Sequence, residues 1–107
     1  SSVEFGAIKG WKRHHKMTLN LIVPVGAIRF IIYDDRQNSP STNKFQNILL
    51  SRHKNYKRLT VPPMVWLGFQ GCEKGTNILL NIANIEHSPT EADQRELNEI
   101  KFDWDKN

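Results

Sequence analysis

The stretch Leu19-Asn-Leu-Ile-Val-Pro-Val-Gly-Ala-Ile-Arg-Phe-Ile-Ile-Tyr33 decides how this chain folds. Residues 19–23 read as a short strand, closed by Pro24 and a turn at Val25-Gly26. Residues 27–33 are β-branched and aromatic, side chains that suit a pleated, packed surface, and read as a second strand. Together they predict a hairpin around Pro24-Val25-Gly26. Outward from this pair the same rhythm repeats. Residues 34–43 form a polar loop punctuated by Ser, Pro and Asn, followed by a third strand at 45–50 and a charged turn at 53–57. Residues 57–61 make a short strand ending at Pro62-Pro63, 64–69 make another, 71–75 a turn, and 77–85 a long apolar strand. Only residues 89–97 look helical, with Ser88 or Thr90 as the cap and acids in the first turn. Many short strands separated by turn signals predict an all-β sandwich or barrel with a short C-terminal helix or turn.

At 107 residues the chain has the size of one domain, taken as 1–107, and can bury one modest core. A hydrophobic content of 38% with 24% charged residues excludes a disordered chain. The net charge of +4 suits an anionic ligand and suits weak nucleic-acid contact equally, so it decides little. Cys72 stands alone, so no internal disulfide forms, which fits a reducing cytoplasm. No apolar run approaches the ~18 residues that span a bilayer. No signal peptide is visible. A cytoplasmic protein with no membrane partner is expected.

The order of several phrases is informative. Gly6-Ala-Ile-Lys-Gly-Trp-Lys12 is similar to a Gly-Val-Leu-Arg-Gly-Leu-His phrase, and residues 25–36 to Gly-Glu-Val-Phe-Asp-Val-Ala-Val-Asp-Ile-Arg. Asn38-Ser-Pro-Ser-Thr-Asn-Lys-Phe45 is similar to Ser-Ser-Pro-Thr-Phe-Gly-Lys-Trp. Leu50-Ser51, then Lys57-Arg-Leu-Thr-Val-Pro-Pro63, resemble Leu-Ser and Arg-Gln-Leu-Trp-Ile-Pro; His87-Ser-Pro89 and Phe102-Asp-Trp104 close the series. In this order the phrases resemble the dTDP-4-dehydrorhamnose 3,5-epimerases of the cupin superfamily along nearly the whole chain. The resemblance implies a cupin-like jelly-roll barrel, a nucleotide-sugar ligand and a homodimer. The family's N-terminal strands, with an Asp-Glu-Arg-Gly phrase, have no counterpart among these residues.

The same resemblance assigns positions to the chemistry. The family removes a proton beside a ketone with a His base and returns one from a Tyr acid. Lys12 stands at the base position and Asn81 at the acid position, so both are altered. The related sugar-nucleotide 3,4-ketoisomerases carry Arg-Gly-Phe-His-Ala-His-Lys here, and their second His matches His14. In an extended segment Lys12, His14 and Lys16 share one face, and Arg13 and His15 the other. A cation beside an imidazole favours its neutral, proton-accepting form. The alternative is that residues 12–16 are a solvated basic loop. Lys9 stands where the family has a phosphate-contacting Arg. Arg29 also suits a diphosphate, and Trp66 either stacks on a ring or fills the core. His87 is a further ligand-binding candidate. The superfamily's metal positions fall on Lys12, His14, Leu19 and Leu67. One imidazole is too few for a catalytic metal, so no metal and no cofactor is expected. Two functions stay open: a nucleotide-sugar isomerase or epimerase with altered 3,5-epimerase residues, or a non-catalytic carbohydrate-binding or structural module. Nucleic-acid binding rests on charge alone and is not expected.

Overall fold

A computed structural model describes residues 1–86, 88 and 90–105. The strands are β1 Ser2–Glu4, β2 Ile8–His14, β3 Leu19–Val25, β4 Ala27–Asp34 and β5 Lys44–Ser51. They continue with β6 Leu59–Val61, β7 Trp66–Gly71, β8 Thr76–Asn81 and β9 Ala92–Gln94, followed by a 3-10 turn, Leu97–Glu99. One antiparallel sheet runs β1-β8-β3-β6 and the other β5-β4-β7-β2-β9. The fold is all-β and cupin-like, as expected, but the sheets do not close into a barrel. The outer edges of β1 and β6 do not pair with those of β5 and β9, which leaves two layers packed face to face.

The residue 19–33 stretch is two strands, as its composition requires, but it is not a hairpin. β3 pairs with β6 and β8, whereas β4 pairs with β5 and β7. The turn at Gly26 is therefore a corner between sheets. Gly26 has φ +78°, and a Cβ there would sit 2.3 Å from Asn77 Oδ1 and 2.7 Å from the Thr76 carbonyl, so only glycine fits. Asn77 is fully buried and holds the corner together. Its Oδ1 accepts from the Ala27 amide at 2.9 Å, and its Nδ2 donates to the carbonyls of Val3 at 3.0 Å and Glu73 at 2.9 Å.

β4 is buried on both faces, which explains its unbroken apolar run. Ile28, Phe30 and Ile32 face the other sheet, together with Val3, Leu21, Val23, Leu50 and Val61. Ile31 faces outward onto a second cluster with Trp11, Trp66 and Ile100, against which Tyr33, Phe102 and Trp104 pack. The C-terminal segment thus covers the outer face of the larger sheet. Each large side chain buried this way contributes ~1.5–3 kcal/mol.

Two local expectations are corrected. Residues 89–97, expected to be helical, hold no α-helix among the described residues 90–97: Ala92–Gln94 pairs along the open edge of β2, and only Leu97–Glu99 makes a turn of 3-10 helix. A weak helical propensity gives way to backbone bonds offered by the edge strand. Pro89, within that span, lies outside the described residues. The strand expected over 77–85 ends at Asn81.

Candidate functional site

Between the sheets opens a cleft of about 1100 Å³, with a floor formed in part by Leu19, Leu21, Leu67 and Leu79. Lys9, Lys12 and His14 reach it from β2, Asn81 from β8 in the facing sheet, and Gln94 from β9. The sequence places Lys9 and Lys12 three residues apart, an odd spacing that sends strand side chains to opposite faces. A β-bulge removes the conflict. Lys9 pairs with Phe69 and Lys12 with Leu67, so three steps on β2 match two on β7. The extra residue restores the parity and aims both lysines into the cleft. Opposite the bulge is Gly68, where a Cβ would meet the Trp11 ring at 3.0 Å and Trp104 at 3.2 Å.

From Lys12 onward the alternation is regular. Lys12 and His14 face the cleft, while Arg13 and His15 turn to the outer surface, where both meet Asp93, at 2.7 and 3.0 Å. The expectation of two faces holds for these four residues. Asp93 is held below the usual carboxylate range chiefly by the Arg13 guanidinium and then by His15.

His14 is mostly buried, and its Nδ1 lies 3.6 Å from Glu91 Oε1. Glu91 is itself buried, just before β9. Its carboxylate accepts from the backbone amides of His15 at 3.0 Å, Lys16 at 3.1 Å and Met17 at 2.9 Å, closing the turn after β2. Burial pushes its pKa up, but these amides, and His14 when protonated, outweigh that and hold it low. An anionic carboxylate therefore stands behind the imidazole. Sequence reading missed Glu91, since its partners lie some 75 residues away and no local pattern marks it.

Two proposed ligand contacts are placed elsewhere. Arg29 alternates with Ile28 and Phe30 and so points away from the cleft. It is buried on the outer face, donating to Gln70 Oε1 at 2.8 Å and to the Trp104 carbonyl. Trp66 is 1% exposed on that same face. The guanidinium carbons of Arg13 and Arg95 lie 4.7 and 4.5 Å from its ring, and its Nε1 donates to Asp35 at 2.9 Å. It fills the core, the second of the two readings weighed for it. His87 lies outside the described residues. Leu19 and Leu67, two of the four positions where the resemblance puts metal ligands, are cleft floor. Among the described residues no group of three or more His, Cys, Asp or Glu side chains gathers as a metal site would require.

Two antiparallel layers enclosing an open cleft with basic and imidazole groups on one wall define a cupin-like fold. No catalogued family profile matches the chain. It is 34% identical to a dTDP sugar isomerase from Desulfovibrio desulfuricans, with a TM-score of 0.93 over 98% of this chain and 68% of that one. A dTDP-4-dehydrorhamnose 3,5-epimerase from Bacillus anthracis, solved with TDP and pyrophosphate bound, is 25% identical with a TM-score of 0.78, over 92% of this chain and 57% of that one. A probable low-salt glycan biosynthesis epimerase of Haloferax volcanii is 29% identical over 77 residues, 71% of this chain. The chain spans about half (49%) the length of that curated relative. The chain belongs to the family of dTDP-sugar isomerases and dTDP-4-dehydrorhamnose 3,5-epimerases.

Proposed function

We propose that the cleft binds a nucleoside-diphosphate keto-sugar and moves its carbonyl to the neighbouring carbon, with His14 as the proton carrier. The observation that supports this most directly is the pairing of His14 with the buried Glu91 beside Lys12 in one cleft. An imidazole backed by a carboxylate can take a proton from a carbon next to a ketone and survive the charge. The C–H electron pair then forms a C=C bond, and the carbonyl becomes an enolate oxygen. Lys12 and Asn81 supply N–H donors for that oxygen. Return of the proton to the former carbonyl carbon, with the adjacent hydroxyl proton passing to the enolate oxygen, shifts the ketone by one position. One base serves both adjacent carbons when they present the same face. Double epimerisation is different, because inverting a centre needs an acid on the opposite side, where Asn81 cannot donate a proton. The similarity to a dTDP sugar isomerase supports the same reading. Lys9 is the diphosphate contact.

The test uses dTDP-4-keto-6-deoxyglucose in deuterated water, followed by NMR. A new 3-keto sugar is expected, with no deuterium at C5, and His14→Ala should slow turnover by ~10²–10⁴-fold. Nucleotide sugar that raises the melting temperature without any turnover would leave a binding module instead. The same reading includes a homodimer, supported by the open outer edge of β5, a site where sheets recruit a partner; sedimentation equilibrium measures it.

A further inference from the structure

The cleft leaves one strongly charged surface unused. The β5–β6 connection reads Arg52-His53-Lys54-Asn55-Tyr56-Lys57-Arg58, four permanent cations and a histidine in seven residues. All of them except Asn55 are exposed. The chain has 15 Lys and Arg; without these four there remain eleven, which its 11 acids match, so this loop accounts for the whole net charge of +4. Among the described residues none of its cations forms an ion pair within the chain.

The loop is also built to hold its shape. Ser51 and Asn55 pair as a bridge, with backbone bonds of 3.3 and 3.1 Å, and make Arg52-His53-Lys54 the tip. Asn55 Nδ2 donates to the Leu49 carbonyl at 2.7 Å, the His53 amide to Ser51 Oγ at 3.2 Å, and the Arg52 amide to the Gly26 carbonyl at 3.3 Å. Rigid presentation lowers the ordering cost of any contact the tip makes. Three exposed apolar side chains belong to the loop or to the strands these bonds reach: Val25 at the end of β3, Leu49 on β5, and Tyr56 in the loop itself, 42%, 43% and 58% exposed.

Exposed, unpaired cations in one ordered loop, with exposed apolar side chains in it and beside its anchoring bonds, supply what a peripheral membrane surface needs, charge for anionic headgroups and apolar groups for the acyl boundary. A single-stranded nucleic acid needs stacking platforms, and of these three side chains only Tyr56 is aromatic. We propose that residues 52–58, with Val25 and Leu49, dock this protein on an anionic lipid surface. Nothing crosses the bilayer in this arrangement. Among the described residues no helix is long and apolar enough to do so. A surface of this kind needs no spanning segment, and the lack of a long apolar run excludes only a spanning segment. The docking is independent of the chemistry in the cleft.

The experiment is co-sedimentation of the full chain with phosphatidylcholine vesicles, with and without phosphatidylglycerol, and a parallel titration of labelled oligo-dT. Binding to the anionic vesicles alone is expected, fading as salt shortens the screening length. Arg52→Gln with Lys54→Gln should weaken it roughly 30-fold, the effect of two surface cations. Tyr56→Ser should weaken it at constant charge. These side chains are exposed, so melting temperatures should stay unchanged. Lys57→Gln with Arg58→Gln serves as a second charge variant if the first fails to fold. Equal binding to neutral vesicles, no binding to either, variants that bind like the parent, or oligo-dT bound in place of vesicles would each overturn the proposal.

Discussion

Asn77→Ala is the perturbation whose cost the structure allows to be worked out. The Asn77 carboxamide satisfies the amide of Ala27, itself 6% exposed, and the carbonyl of Val3, 2% exposed. Its other contacts, with Glu73, fall on an exposed residue where water can replace them. Truncation therefore strands two buried polar groups at ~1–3 kcal/mol each, about 4 kcal/mol in the middle of that range. Domains of this size hold ~5–15 kcal/mol in all, and lose ~4–8 °C of melting temperature per kcal/mol. A drop of roughly 15–30 °C is expected in calorimetry or circular dichroism. Asn81→Ala, the same change on the same strand but at the exposed cleft wall, is the control and should stay within ~0.5 kcal/mol. If both variants melt within a few degrees of each other, the account of the sheet-to-sheet corner is wrong.

Other expectations follow from the site. Glu91→Gln retains an acceptor for the turn after β2 but removes the charge behind His14. It should lower kcat far more than KM, and an unchanged kcat would remove Glu91 from the mechanism. Arg29→Met should lower thermal stability, because Arg29 ties the C-terminal segment to the outer face, while leaving nucleotide-sugar affinity as it was. Lys9→Ala should do the reverse, and isothermal titration separates the two. Acid should destabilise the fold. Asp34 is held well below the usual carboxylate range, first by Arg36 and then by Ser41 and Ser39, and Glu91 and Asp93 are lowered too. A depressed carboxylate stabilises at pH above its unfolded value, and the contribution is lost as pH falls through the folded one. Unfolding should therefore steepen below about pH 4, and Asp34→Asn should flatten that limb.

What was legible in the sequence was local. β-branched runs and turn residues placed most of the strands from residue 19 to residue 81 to within a few positions, because alternation and turn chemistry act over a few residues. The ordered phrases carried the family, and the alternation of Lys12 and His14 with Arg13 and His15 carried half the site. Tertiary structure decided the rest. Gly26 could have closed a hairpin as easily as a corner; the bonds from Asn77, some fifty residues away, chose the corner. Lys9 joined Lys12 only through a bulge that β7 imposes. Arg29 and Trp66 went to the outer face because a strand's parity is fixed once one neighbour enters the core, and Ile28 and Leu67 entered it. Residues 92–94 became a strand because the edge of β2 offered unpaired backbone groups. Glu91 reached His14 by that same pairing. Propensity is a property of a short segment, whereas register and facing are settled by partners that are distant in the chain.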